Sequence, residues 1–201
     1  MDVDSFRYLP RLIATFYRAS ERQPEYPIPW TPLRCPLSEC QFGLVTSGGL
    51  YQQGVAPPFD VARERRDPTW GDPSYRIIPA DIRQTEVGVS HLHINAQDVL
   101  ADLNILLPVD RFQELVSEGY IGGLASRAFS FMGYQGFPPD TRAWQEVYGP
   151  QIAAAFKAEG VSAALLTPRL TGLCGQRARA GTYARGCWTV HGDGDSHAFL
   201  G

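Results

Sequence analysis

The chain has 201 residues, of which 44% are hydrophobic and 19% charged, with a formal net charge of −3. These are the values of a folding chain long enough for one domain, or one and a half, and they exclude wholesale disorder. A weak charge without long runs of one sign gives no footing for nucleic acid or an acidic membrane surface, and no apolar stretch reaches the length of a membrane span.

Lys157 is the only lysine among 18 basic residues, a bias read as genomic base composition rather than chemistry. The N-terminus, Met1-Asp2-Val3-Asp4, lacks the basic region and apolar core of a signal peptide. Four cysteines fit reduced thiols in an intracellular chain better than a disulfide framework. A cytoplasmic protein is expected.

Residues 1–19 read as an amphipathic helix, with Phe6, Leu9, Leu12, Ile13, Phe16 and Tyr17 at helical spacing and a start near Pro10. Pro24, Pro27, Pro29, Pro32 and Pro36 make residues 23–36 an extended arm. Residues 1–39 are thus helix and arm, packing on the chain's own core or on a partner.

The globular part, 40–168, begins at Cys40. Residues 41–49 read as a short apolar strand that ends in Thr46, Ser47, Gly48 and Gly49. Hydroxyls and glycines after a strand suit close backbone approach to a small ligand or anion. A plain tight turn is the alternative, because no helix clearly opens after Gly49 and the dinucleotide fingerprint is absent.

Residues 54–74, with Pro57-Pro58, Asp67-Pro68 and Asp72-Pro73, read as irregular, and 76–79 as a short strand or strand edge. Residues 86–90 read as a buried strand delivering Ser90 and His91 to its C-terminal end. A helical turn is expected over 98–104. Asp110 then suits an N-cap for a helix with Phe112, Leu115 and Val116 on one face and Gly119 as its stop.

After a turn over 121–124 comes a strand at 128–132, closed by Gly133. Asp140 caps a further helix, which Gly149-Pro150 breaks or restarts and Gly160 ends, with Ile152, Ala155 and Phe156 on its apolar face. The last clear strand covers 161–167. Strands near 41–46, 86–90, 128–132 and 162–167, alternating with helices, predict an α/β fold with a mostly parallel, doubly wound sheet. Open α/β sheets bind ligands at the carboxyl ends of their strands, so Thr46, Ser47, Ser90, His91, Met132 and Thr167 are expected to converge around one cleft. Residues 169–201 lack either period and read as an irregular tail.

His91 is the best candidate for general acid or base work, with a histidine bonded to neighbouring backbone as the alternative reading. His93 follows it. Cys35 and Cys40 have the loose spacing of a zinc pair, but Cys174 and Cys187 form no second tight pair, so no metal site is expected. His191, His197, Asp193 and Asp195 fall in the tail.

Four pieces stand out together: Gly71-Asp72-Pro73-Ser74-Tyr75-Arg76-Ile77-Ile78-Pro79, Val89-Ser90-His91, residues 102–111 and Phe129-Ser130-Phe131-Met132-Gly133. In this order, within about 41–168, the chain resembles the selenoprotein B type subunits of the glycine, sarcosine, betaine and D-proline reductases, above all the small selenocysteine-bearing D-proline reductase type. The resemblance implies a Rossmann-like fold and reductive cleavage of a carbon–nitrogen bond in a small amine or amino acid. It implies a dithiol as ultimate electron donor and a hetero-oligomer in which a separate subunit carries a pyruvoyl group. Within this chain no bound cofactor is expected. Asp102, Asp110 and Arg111 match family pieces and read as capping and loop pinning, with substrate contact as the alternative.

In that family the last strand delivers a selenocysteine, two further residues and a cysteine. Leu166-Thr167-Pro168 matches the approach, but Arg169-Leu170-Thr171-Gly172-Leu173-Cys174-Gly175 holds one cysteine and no selenocysteine. A leucine codon ending in TG before a threonine codon contains TGA, the selenocysteine codon, across Leu170 and Thr171. Three codons on, the same shifted frame reads TGT across Leu173 and Cys174 if that leucine codon too ends in G. With both codons ending in G, a shift of one base restores the family's spacing, and on that hypothesis a selenocysteine is expected near Leu170 in the native frame. In the present frame Cys174 is the candidate nucleophile, with Thr46, Ser47, Gly48, Ser90 and Thr167 as candidate substrate-binding residues. The competing expectation is a non-catalytic or truncated relative without the selenol–thiol pair.

Overall fold

The computed structural model describes residues 35–92, 94–136, 140–167 and 187–189 (the last by backbone alone), together with Arg11, Thr15 and Leu33. The expected helix over 1–19, most of the arm, His93 and the tail apart from 187–189 lie outside the described residues.

Strand β1 (Gln41–Thr46) runs through the middle of the sheet, with Phe42, Gly43, Leu44 and Thr46 buried. Consecutive buried residues on a strand are what parallel neighbours covered on both faces demand. After Ser47-Gly48-Gly49 come β2 (Leu50–Gln52), α1 (Val61–Arg66), β3 (Tyr75–Pro79) and β4 (Val87–Val89). Then follow α2 (Ala96–Ala101), α3 (Val109–Ser117), β5 (Gly123–Leu124), β6 (Arg127–Phe131), α4 (Gly149–Ala158), β7 (Ala163–Thr167) and β8 (Cys187–Thr189).

The sheet order is β3-β6-β1-β7-β8, with β5 paired to the start of β1. The centre is parallel: β1 runs alongside β5, β6 and β7. Both outer strands are antiparallel, β3 to β6 and β8 to β7. The sheet is therefore mixed, with a parallel centre and antiparallel outer strands, in keeping with the mostly parallel sheet expected. The segment 86–90 does contain a strand, but β4 pairs antiparallel with β2 in a separate two-stranded sheet and not with the main one. An apolar run of three residues carries no record of which sheet it joins.

Two further local expectations are corrected. Residues 54–74 are not wholly irregular: α1 forms at 61–66, its start held by the Asp60 carboxylate, which accepts from the Arg63 amide at 2.8 Å. Its one buried residue is Glu64, so it leaves no apolar period to read. The N-terminus of α3 is held by Asn104 rather than Asp110: the Asn104 side-chain carbonyl accepts from the amides of Asp110 and Arg111 at 3.1 and 3.4 Å. Gly119 and Gly160 follow α3 and α4 with φ of +75° and +71°, the left-handed stops expected of them.

The helix expected after Asp140 restarts at Gly149-Pro150, where α4 begins with the proline in its first turn. The turn before it, Trp144–Tyr148, is wound as a π-helix. Pro150 has no amide to give, and at the entrance of α4 none is required. One face of the sheet meets a core of Leu44, Leu50, Ile78, Val87, Leu106 and Leu107. The other meets α4 through Phe129, Phe131, Ile152, Phe156 and Ala164. Among the described residues, no helix is long and apolar enough to cross a membrane.

Candidate functional site

The carboxyl ends of β1, β6 and β7 lie at one edge of the sheet because the three strands are parallel. Thr46 and Thr167 face each other in register there. The Thr46 hydroxyl donates to the Thr167 carbonyl at 3.2 Å and accepts from the Gly48 amide at 3.1 Å. The Ser47 amide donates to the same Thr167 carbonyl at 3.2 Å. Met132, just past β6, forms an antiparallel bridge with Gly48.

Ser90 and His91 reach this edge by another route. The Gly49 amide donates to the Phe131 carbonyl at 2.8 Å, while its own carbonyl accepts from the Ser90 amide, also at 2.8 Å. Gly49 is thus the junction between the main sheet and the β2–β4 pair. Its φ is +66°, and a Cβ there would collide with the Ser90 carbonyl and stand 3.2 Å from the His91 Cβ. The Leu50 amide adds a 2.8 Å bond to the buried Ser130 hydroxyl, tying β2 to β6. Ser90 and His91 are 7% and 8% exposed, so both stand at the inner wall of the edge rather than in open solvent.

The glycine-rich turn spends its freedom on the chain itself. A Cβ on Gly48 would stand 2.5 Å from Leu106 Cδ1 and 3.2 Å from the Thr46 hydroxyl. Leu106 lies between the turn Leu103–Ile105 and α3, and its carbonyl accepts from the Thr167 hydroxyl. Sequence reasoning missed this contact, since an apolar residue in a run of apolar residues advertises nothing about its carbonyl.

The conspicuous pieces at 71–79 and 102–111 frame the edge. Arg76 donates to the Pro57 carbonyl at 2.7 Å, lies 3.6 Å from the Asp72 carboxylate and stacks 4.1 Å above the Phe59 ring. The Gln135 amide nitrogen, also unremarked in the sequence, joins the carbonyls of Asp72 and Met132, each at 2.8 Å. In the second piece the Asn104 amide donates to Asp102 at 2.9 Å and to Asp110 at 2.8 Å. Hydrogen bonds from the Asn104 side chain, then from its backbone amide, hold the Asp102 carboxyl below its ordinary value. These contacts pin loops.

Cys40 is buried at the foot of β1, and its thiol lies 3.4 Å from the Cys35 carbonyl. Among the described residues, no group of three His, Cys, Asp or Glu side chains is placed to hold a metal ion. Cys174 and the side chain of Cys187 lie outside the described residues, as do His191 and His197.

Residues 23–169 match the family model described as Glycine/sarcosine/betaine reductase selenoprotein B (GRDB). The chain belongs to that family. Over 138 residues it is 36% identical to the D-proline reductase subunit gamma of Acetoanaerobium sticklandii, a match covering 69% of this chain and 52% of that one. Over 141 residues it is 28% identical to the glycine reductase complex component B subunit gamma of Carboxydothermus hydrogenoformans, covering 70% of this chain and 30% of that relative. The chain thus spans about half of the first relative's length and under a third of the second's. No solved structure matches significantly.

Proposed function

We propose that this chain supplies the selenol–thiol half of a reductase that cleaves a carbon–nitrogen bond of a small amino acid or amine, of the D-proline, glycine or betaine class. The observation that carries the reading is the family match over residues 23–169, which runs up to the point where a TGA would lie in the shifted frame if the Leu170 codon ends in G. A selenolate, ionised at neutral pH, attacks the carbon bearing the nitrogen. The carbon–nitrogen bond breaks, and the amine leaves with its electron pair and takes a proton. The neighbouring thiolate then attacks selenium, forming the selenium–sulfur bond and releasing the carbon with the selenium–carbon electron pair, which a second proton completes. A dithiol donor returns the selenenylsulfide to selenol and thiol. His91 is the residue for the proton transfers, and Ser47, Gly48, Ser90 and Thr167 border the substrate.

Residues 40–168 act as the reductase domain, with a Rossmann-like winding of its parallel centre, and residues 1–39 as helix and arm. The working complex is cytoplasmic and includes a pyruvoyl-bearing subunit that activates the substrate amine. The test begins with the nucleotide sequence of codons 169–174. The shifted frame, expressed with selenocysteine insertion and assayed with the pyruvoyl subunit and dithiothreitol, should turn over one of D-proline, glycine or betaine. Equal turnover by the present frame would refute the frame argument.

A second reading has one observation in its favour: the present sequence holds Cys174 and no selenocysteine. An unperturbed thiol has a pKa of about 8.5 and is mostly protonated at neutral pH. No turnover by either frame would favour a non-catalytic relative.

A further inference from the structure

Between Val99 and Leu107, the side chains of Val99, Leu103, Leu106 and Leu107 turn into the core, while Leu100 and Ile105 turn out, 47% and 52% exposed. The Gln84 side chain ties the end of α2 to the turn Leu103–Ile105: its nitrogen donates to the Leu100 carbonyl at 3.1 Å, and its oxygen accepts from the Leu103 amide. This loop ends beside the candidate site. The Leu106 carbonyl accepts from the Thr167 hydroxyl, and the Leu106 side chain lies against Gly48.

Carboxylates border the same loop. Asp98, Asp102 and Asp110 are exposed, and one Asn104 nitrogen holds both Asp102, at 2.9 Å, and Asp110, at 2.8 Å. Arg111, next in the chain, is engaged by Glu114 at 2.9 Å. A two-fold contact between copies would set these carboxylates against their own kind. The occupant that suits them is a different chain bearing cations.

We propose that this rim is the docking surface for the pyruvoyl-bearing subunit, which seats an apolar projection on Leu100 and Ile105 and sets arginine or lysine side chains against Asp102 and Asp110. It rests on the proposed function above, in which that subunit activates an amine that must arrive at the carboxyl edge. A partner seated beside Leu106 brings its substrate there without crossing the domain. Both relatives described above are named as subunits, so a partner chain is in keeping with the family. Two exposed side chains form only the centre of such a contact, since a stable interface buries about 800 Å² on each partner. The carboxylates and the edge itself supply the rest.

The test measures binding of the 201-residue chain to the purified pyruvoyl-bearing subunit by surface plasmon resonance, with no turnover involved. Leu100→Ser combined with Ile105→Ser should weaken Kd at least about tenfold, mainly through faster dissociation. Asp102→Asn combined with Asp110→Asn should slow association several-fold and flatten its salt dependence. Tyr120→Ser alters a side chain 63% exposed just before β5, which pairs with the start of β1 at the amino end of the sheet. It should change Kd by less than about twofold. Should a variant fail to fold, amide hydrogen exchange of the parent decides: residues 98–106 should exchange more slowly once the partner is added, and slowing confined to other segments overturns the proposal. Unchanged binding in both double variants overturns it too, and leaves the two-subunit reading standing. No binding by the parent removes that partner, and the docking surface with it. Sedimentation of the chain alone covers the remaining occupant: a dimer dissolved by the two serine substitutions would assign the rim to a second copy, against the proposal.

Discussion

The Phe156 ring stands against the backbone of Gly43: a Cβ on that glycine would lie 2.6 Å from two ring carbons. Gly43 is mid-strand in β1, and Phe156 comes from α4, packed edge-to-face on Phe129 with ring centroids 5.1 Å apart. Glycine weakens an isolated strand, yet here it lets a helix settle onto the sheet's central strand. Gly43→Ala should cost about 1–3 kcal/mol by overpacking. Phe156→Ala should cost about 3–5 kcal/mol by emptying the core. In urea unfolding the double variant should be less damaged than the two separate losses added together, because the alanine methyl occupies part of the vacated space. Strict additivity would show that ring and glycine do not share that space.

Gly49→Ala should destabilise the fold by at least about 2 kcal/mol, combining a left-handed backbone with a clash against the Ser90 carbonyl. Gly54 has φ of +75° and nothing within 4 Å of its missing Cβ. Gly54→Ala is therefore the control, with the backbone cost of about 1 kcal/mol alone. Unfolding midpoints measure the difference, and the His91 proton resonances should move in the first variant only.

Glu159 gives acid sensitivity at a known place. Burial pushes its carboxyl up, but hydrogen bonds from the Arg127 side chain and then from Ser126 outweigh burial and leave it below its ordinary value of 4.5. Arg127 Nε lies 2.5 Å from one carboxylate oxygen, and the Ser126 hydroxyl lies 2.8 Å from the other. A depressed folded-state value means the contribution is full above the unfolded value and disappears as pH falls through the folded one. Glu159→Gln should lose about 1 kcal/mol at pH 7, a figure kept small by the partly exposed arginine. Its stability should then fall less steeply than the parent's below about pH 4.5. Parallel acid curves for both proteins would exclude this linkage.

Asn104 sits between two carboxylates and donates to both. Asn104→Ala should cost about 1–2 kcal/mol, the usual loss of a helix cap. Asn104→Asp keeps the acceptor for the α3 amides but sets a third negative charge against Asp102 and Asp110. It should be the weaker protein at pH 7 and recover relative to the parent toward pH 4, as the like charges protonate. Thermal melts at the two pH values decide.

The central strands were legible because β1, β6 and β7 are apolar runs with clear punctuation, and α3 and α4 end at glycines that only a left-handed stop requires. The shorter pieces were not. The pairing of β4 with β2 depends on the turn at Gly49, whose angle is set by Phe131 and Ser90, far away in sequence. The helix α1 hides because it buries no apolar stripe, and the antiparallel outer strands carry no signal that separates them from parallel ones. At the candidate site, Thr46, Met132 and Thr167 could be placed together from strand direction alone. Ser90 and His91 arrive beside them through Gly49 and the β2–β4 pair, a path that strand order does not foretell. The Leu106 carbonyl and the Gln135 amide were invisible because their roles lie in contacts rather than in residue type.

The order β6-β1-β7 also imposes a timetable. Thr46 and Thr167 are 121 residues apart, so at ribosomal speed about 10 s pass between the synthesis of β1 and that of its last partner. Throughout that interval a strand bearing Phe42 and Leu44 has at least one edge unpaired, and both until β5 and β6 are made, the kind of edge that recruits other chains. The nascent protein is most vulnerable before β7 emerges, and a messenger whose translation pauses between codons 131 and 163 should yield more aggregate than one pausing after 167.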